Sequence, residues 1–97
     1  MLEFFSLYLF MEFQVYILFS VLINKYYIGF TSDLKERLIR HNQKSKGFTG
    51  NVSDWKVVYT EIYNTKVEAI QRESQIKSWK SRIKIEKLIQ ENINSID

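Results

Sequence analysis

The sequence contains no cysteine and no proline, and it has a single histidine, His41. Without cysteine it forms no disulfide and offers neither a thiol nucleophile nor a cysteine-based zinc site. A zinc site built from several histidines is excluded as well. The 97 residues are 45% hydrophobic and 26% charged, which excludes wholesale disorder. These features predict one small folded domain.

The charge is distributed unevenly along the chain. The formal net charge is +3, but all fourteen lysines and arginines lie between Lys25 and Lys87, together with only seven of the eleven acids. This stretch therefore carries an excess of seven positive charges. Such an excess favours a polyanionic partner, nucleic acid first, although ordinary solubility charge is the alternative interpretation.

The N-terminal segment from Leu2 to Ile23 is strongly apolar and is about as long as a membrane-spanning helix. Glu3, Glu12 and the absence of a basic flank argue against a membrane or signal role. Met11 also offers an alternative start. We therefore expect residues 1–10 to be a poorly ordered extension, with no membrane partner and a cytoplasmic location.

Residue patterns predict three strands and three helices. Runs of β-branched and aromatic residues indicate strands, and apolar residues at helical spacing indicate helices. The polar, glycine-containing segment Gln43–Asp54 indicates a loop. The predicted strands are Phe13–Phe19, Tyr26–Phe30 and Trp55–Tyr63, and the predicted helices run from Asp33 to about Asn42, from Lys66 to Trp79 and from Arg82 to Asn92.

Two helix starts have capping residues. Asp33 and Glu36 have the spacing of a capping box, and either Asn64 or Thr65 caps the second helix. The order ββαβαα does not alternate as a parallel sheet would require. It predicts an α+β fold, a small three-stranded antiparallel sheet flanked by helices, over residues 11–92 with a tail at 93–97.

Glu73 is placed unusually for a carboxylate. It follows Ala69 by four residues and precedes Ile76 by three, so it lies on or beside the buried face of its helix. A buried carboxylate needs a cation, which leaves an arginine, a lysine or a metal ion as the alternatives, with Arg37 and Arg72 as the named salt-bridge candidates.

Two polar residues flank the apolar stripe of the first helix. Arg37 follows Leu34 by three residues, and His41 follows Leu38 by three. By itself, His41 is also explained as a helix-end residue that the helix dipole favours.

Taken together, these residues resemble the GIY-YIG nuclease superfamily, particularly its small single-domain members, and are similar to the nuclease domain of an excision-repair endonuclease. The resemblance covers residues 13 to about 89. It departs from the family pattern at Gln14-Val15, where the family name has Gly-Ile, and in the apolar connection Val21–Asn24. The matching motifs are Gln14-Val15-Tyr16, Tyr27-Ile28-Gly29, Arg37 followed four residues later by His41, Glu68–Glu73, and Ile76-Lys77-Ser78-Trp79.

The resemblance implies a metal-dependent endonuclease that hydrolyses DNA, whether structured, single-stranded or damaged, with low sequence specificity and a role in DNA repair. It implies that Glu73 holds one divalent cation, Mg²⁺ or Mn²⁺, and that Arg37 binds a phosphate oxygen. Tyr16, Tyr27 and His41 remain alternatives for the general base. The competing hypothesis is a catalytically weak nucleic-acid-binding module within a larger repair or processing assembly.

Further basic residues are candidates for contacts with the nucleic-acid backbone, although a solvated helix face explains part of this pattern equally well. Trp55 and Trp79 either stack on bases or fill the core. RNA is left open as a substrate, and so is a homodimer. The backbone candidates are Arg40, Lys44, Lys46, Lys77, Lys80 and Arg82.

Overall fold

The computed structural model describes residues 11–43 and 47–95. The predictions for residues 1–10, for Lys44 and Lys46, and for the last two residues of the predicted tail therefore lie outside the described part. Within that part, no helix has both the length and the apolar character needed to cross a bilayer.

The elements follow the predicted order ββαβαα, which confirms the α+β fold. One short 3₁₀ helix lies inside the predicted loop. The last helix continues three residues beyond its predicted end, where the sequence has no capping signal. The elements are β1 (Phe13–Ser20), β2 (Lys25–Thr31), α1 (Leu34–His41), the 3₁₀ helix (Phe48–Asn51), β3 (Lys56–Tyr63), α2 (Lys66–Ser78) and α3 (Arg82–Ser95).

The three strands form one antiparallel sheet in the order β2-β1-β3. The central strand β1 is the most apolar, as a strand with two neighbours and two covered faces should be. Tyr16 pairs with Gly29 on β2 and with Thr60 on β3. The register of β1 against β3 shifts between Ile17 and Leu18.

Successive residues of β1 point to opposite faces of the sheet, and each face has its own core. Val15 packs with Ala69 and Ile76 on the face that α2 and α3 cover. Tyr16 packs with Trp55 on the other face, where α1 lies. Complete burial of an aliphatic side chain such as Val15 contributes about 1.5–3 kcal/mol, so both layers hold the sheet in place.

Asp54 holds the unusually apolar turn between β1 and β2. Its carboxylate accepts a hydrogen bond from Ser20 Oγ at 2.6 Å and another from the backbone N–H of Leu22 at 2.9 Å. The hydrogen bond from Ser20 lowers the pKa of Asp54. Asn24 completes the turn with φ at 54°, in the left-handed region that asparagine tolerates. The carboxylate thus stabilises a turn in which Val21 and Leu22 remain exposed.

Two local capping interactions place the helices that carry the site residues. Asp33 Oδ1 accepts from the Glu36 backbone N–H at 3.1 Å, as the capping-box spacing predicts. Of the two candidate caps for α2, the structure has Thr65, whose Oγ1 accepts from the Glu68 N–H at 3.2 Å. Each cap satisfies a backbone donor that the first helical turn leaves without an intrahelical partner.

Candidate active site

Four of the five predicted catalytic and metal-binding residues line one cleft of about 1000 Å³: Tyr16, Tyr27, Arg37 and Glu73. They come from β1, β2, α1 and α2, four different elements of the fold. These four residues are up to 57 positions apart in the chain. The fifth, His41, is not part of its lining and lies behind Tyr16.

Gly29 makes room for the phenol of Tyr16. The two residues are cross-strand partners, and a Cβ atom at Gly29 would lie 2.5 Å from Tyr16 Oη and 2.7 Å from its Cζ. Both distances are below any real van der Waals contact. The tyrosine ring consequently lies directly over the β2 backbone, where only glycine fits.

Tyr16, His41 and Thr49 form a buried chain of hydrogen-bonding groups. Tyr16 Oη lies 2.8 Å from His41 Nε2, and His41 Nδ1 lies 2.9 Å from Thr49 Oγ1. Burial raises the pKa of Tyr16 well above that of a free phenol. Burial, assisted by the positive charges of Arg37 and Arg40, lowers the pKa of His41 below 6.5. The tyrosine is therefore a neutral phenol and the histidine a neutral imidazole at pH 7.

Arg37 brings a partly buried guanidinium group to the cleft wall. Its Nε atom is buried and has no hydrogen-bond partner among the described residues. The amide oxygen of Gln14 is also buried and has no hydrogen-bond partner among the described residues. Gln14 is one of the residues at which the sequence departs from the family motif. A buried donor without a partner is costly, and an acceptor oxygen of a bound ligand would satisfy it.

Glu73 reaches the cleft from α2, with only 17% of its side chain exposed. Its Oε1 accepts a hydrogen bond from Lys77 Nζ at 2.9 Å, one turn along the helix. Arg72, which the sequence offered as a partner for Glu73, pairs instead with Glu61 on β3. Neighbouring helical residues diverge by about 100°, so Arg72 and Glu73 leave α2 in different directions.

A carboxylate on β3 anchors α2 from the other side. Glu61 accepts hydrogen bonds from Tyr59, Tyr63 and Arg72, the last through Nε at 2.9 Å and Nη2 at 3.0 Å. Burial opposes the charge of Glu61, but these hydrogen bonds outweigh burial and lower its pKa. The cluster ties α2 to β3 at Arg72, the residue directly before Glu73.

The predicted backbone-binding residues fall at different places. Lys77 lines the cleft. Arg40 is exposed and pairs with the carboxylate one turn earlier on α1. Lys80 and Arg82 line a second, shallow pocket of about 270 Å³ that shares no lining residue with the cleft in the described part of the chain. Arg82 also donates to the backbone oxygen of Asn24 at 2.8 Å, so it ties α3 to the β1–β2 turn.

The two tryptophans belong to the core. Trp55 is buried and donates from Nε1 to the backbone oxygen of Thr49 at 2.9 Å. Trp79 packs against the α2–α3 layer and lies under the guanidinium of Arg72. Two residues beside the site could not be predicted from the sequence, Lys66 in the cleft and the exposed Phe48. Nothing in their local sequence distinguishes them from ordinary loop and helix-start residues.

In the part of the chain that the structure describes, the cleft offers one carboxylate, which suits a hard divalent cation that takes few ligands from the protein. Across residues 11–43 and 47–95, no group of three or more His, Asp or Glu side chains gathers to form a cage for a metal. Among these same residues, Glu73 is the one carboxylate in the cleft lining. Mg²⁺ typically binds one or two carboxylates and completes its shell with water and phosphate oxygens, so a single carboxylate fits it.

Comparisons with known proteins point in one direction. The family model of the GIY-YIG catalytic domain matches residues 12–88. A UPF0213 protein of Staphylococcus epidermidis is 39% identical over 66 residues, which cover 67% of this chain and 79% of that protein. A UPF0213 protein of Staphylococcus haemolyticus is 33% identical over 69 residues, covering 70% and 83%.

A solved structure shares the architecture. The solution NMR structure of a UPF0213 protein from Bacillus halodurans matches with a TM-score of 0.53 at 28% sequence identity. The match covers 82% of this chain and 84% of that one. The sequence relatives and the fold comparison thus agree on the same group of proteins.

Proposed function

The chain belongs to the GIY-YIG family of nuclease-type catalytic domains, and from that premise we propose that it is a metal-dependent endonuclease acting on DNA. One observation carries the proposal: Tyr16, Tyr27, Arg37 and Glu73 converge on a single cleft from four elements. A domain that only bound nucleic acid would have no need for a mostly buried carboxylate beside two tyrosines and an arginine.

Arg37 binds the scissile phosphate in this proposal. Its buried Nε donor has no partner among the described residues, and a non-bridging phosphate oxygen supplies the acceptor it lacks. The guanidinium also places fixed positive charge where negative charge grows on the phosphoryl oxygens during hydrolysis. Lys66, which lines the same cleft, contributes further positive charge around the backbone, whereas Lys77 is paired with Glu73.

Tyr16 and His41 form a proton relay in this proposal. The attacking water gives its proton to Tyr16 Oη while the phenol passes its own proton to His41 Nε2, 2.8 Å away. The required tautomer has Nδ1–H donating to Thr49 Oγ1, which leaves Nε2 as the acceptor. The raised pKa of Tyr16 makes a free phenolate rare, so a neighbouring acceptor is needed. Tyr27 lines the cleft beside this pair and orients the water.

Glu73 is the residue that would hold the divalent cation, Mg²⁺ or Mn²⁺. When bound, such an ion supplies Lewis acidity to the phosphate and stabilises charge on the leaving oxygen. GIY-YIG nucleases generally use a divalent metal, and the cleft provides the single carboxylate that this requires.

The test is a nicking assay on supercoiled, branched and single-stranded DNA, and on RNA, with Mg²⁺, Mn²⁺ or EDTA. We expect cleavage that requires the metal, with Glu73→Gln and Arg37→Gln each lowering the rate by at least about 100-fold, the scale of losing a charge-stabilising group. The matched control is Glu68→Gln on the same helix. Glu68 is exposed, and the amide oxygen of glutamine can still accept the hydrogen bond from Thr65 Oγ1.

Each outcome has a defined meaning. Cleavage that survives both cleft substitutions would place the chemistry elsewhere and refute the assignment. If the protein binds nucleic acid without a metal and cleaves none of the substrates, the result would favour the alternative, a nucleic-acid-binding module. An equal loss in the Glu68→Gln control would show that the charge of Glu73 is not specifically needed.

A further inference from the structure

Phe48 is an exposed aromatic residue that contacts Tyr27 in the lining of the cleft. It begins the 3₁₀ helix directly after Gly47, whose φ of 114° turns the chain there. About half of Phe48 is exposed, at 51%. Its ring stacks on Tyr27, with centroids 6.2 Å apart and planes at 28°, and Tyr27 lines the cleft. The centroid of the Phe48 ring also lies 6.2 Å from that of the buried Trp55 ring.

Phe48 shares a pocket with three basic residues. Lys25 Nζ lies 5.7 Å from the centroid of Phe48. The second pocket is lined by Phe48 together with Lys25, Lys80 and Arg82, and none of the described residues in its lining is acidic. Glu86 lies just outside it, paired with Arg82. A single exposed phenylalanine is ordinary. Phe48, however, contacts the cleft through Tyr27 and also lines the basic pocket, so its position suits a ligand with both aromatic and anionic parts.

We propose that Phe48 is a stacking platform for an unpaired base, and that the substrate strand runs from the cleft over Phe48 into the second pocket. The inference rests on the proposed function and specifies its substrate as nucleic acid with a single-stranded flank. An unpaired base presents its face to an aromatic side chain, whereas the faces of a paired base are covered by its neighbours in the duplex. The adjacent phosphates then reach Lys25, Lys80 and Arg82.

Charge complementarity favours this occupant over an apolar one. A phosphodiester strand supplies one negative charge per nucleotide along the same path as the three cations. The ammonium group of Lys25 moves from the ring to a phosphate as the base arrives, because its flexible stem leaves it free to do so. The other occupant with matching charge is an acidic peptide, and the experiment includes it.

The experiment measures binding in EDTA, which separates it from cleavage. A twelve-nucleotide single strand carrying one 2-aminopurine is titrated with the full chain, and fluorescence anisotropy of an end label gives the affinity. We expect 2-aminopurine quenching on binding. Phe48→Leu should abolish the quenching and weaken binding by about tenfold, within the range known for base–aromatic stacking. Phe48→Trp should retain both, since it keeps a stacking ring.

Matched controls separate stacking from charge and from surface apolarity. Ile70→Ala truncates an exposed apolar residue on α2 outside both pockets, and it should change the affinity by less than about twofold. Lys25→Gln should weaken binding and reduce its salt dependence while leaving the quenching in place. Circular dichroism of each variant verifies the fold.

Several results would overturn the inference. These are equal affinity of Phe48→Leu and the wild type, quenching that survives Phe48→Leu, or tighter binding to a blunt duplex or to a poly-glutamate peptide than to the single strand. The outcome is independent of the nicking assay. If the wild type shows no metal-dependent cleavage but Phe48→Leu still weakens binding and abolishes the quenching, only the proposed nuclease activity is refuted. If cleavage is observed but Phe48→Leu changes neither affinity nor quenching, only the stacking platform is refuted.

Discussion

At the scale of single residues, the close contact of Gly29 with Tyr16 decides where the phenol lies in the cleft. A methyl group at Gly29 would overlap the phenol at 2.5 Å and 2.7 Å. We therefore expect Gly29→Ala to push the ring away from its position, lowering the free energy of unfolding by about 2 kcal/mol, as overpacking of a core does. Urea unfolding followed by circular dichroism measures this cost, and the nicking assay should show reduced cleavage because Tyr16 is displaced.

A double-mutant cycle separates steric overlap from a general effect on the strand. If the overlap is the cause, Gly29→Ala should cost much less in a Tyr16→Leu background, where the far end of the ring is absent. Additive costs would instead indicate that alanine harms β2 directly and would contradict the steric explanation.

At the scale of elements, α2 joins the sheet to the site through two neighbouring residues. Arg72 is held by Glu61 on β3, and Glu73 faces the cleft. We expect Arg72→Gln to lower the free energy of unfolding by about 2 kcal/mol, because it removes charge-assisted hydrogen bonds from a mostly buried carboxylate. The paired control is Arg40→Gln, which breaks an exposed pair and should cost only about 0.5 kcal/mol. Equal costs in urea unfolding would show that the Glu61 cluster does not anchor the helix.

Elements could be predicted from the sequence where their signals are local. The caps at Asp33 and Thr65 depend on residues three positions away, and the strand runs depend on composition. The partner of Arg72 could not be predicted in this way, because Glu61 lies on another element and becomes its neighbour only when α2 packs on the sheet. The role of Phe48 was missed for the same reason, since its contact with Tyr27 joins a loop to β2.

At the scale of the whole molecule, the sheet separates two layers that both reach the site. One layer carries α1, with Arg37 and His41, and the other carries α2, with Glu73. The family resemblance gave the site residues in order along the chain, but not that His41 would lie behind Tyr16 rather than in the cleft. Because His41 is buried in its layer, its protonation affects the stability of the entire fold as well as the site.

His41 makes stability depend on pH in a definite direction. Its pKa is lowered from 6.5 by burial and by the charges of Arg37 and Arg40, while Tyr16, whose own pKa is raised by burial, stays neutral against its ring. Below pH 6.5 the unfolded chain therefore binds more protons at this residue than the folded one. The free energy of unfolding should rise as pH increases toward 6.5 and fall as pH decreases below it.

Urea unfolding of the wild type and of His41→Gln between pH 5 and pH 7 tests this dependence. The range excludes most of the titration of Glu61 and Asp54, whose pKa values are lowered from 4.5 and 3.8. We expect the free energy of unfolding of the wild type to rise from pH 5 to pH 7. In the glutamine variant, which cannot take up a proton at this position, the rise should be much smaller. A variant that kept the full pH dependence would show that another group is responsible.

The relay predicts in addition that cleavage by the wild type falls over the same acid range, because a protonated His41 can no longer accept the proton of Tyr16.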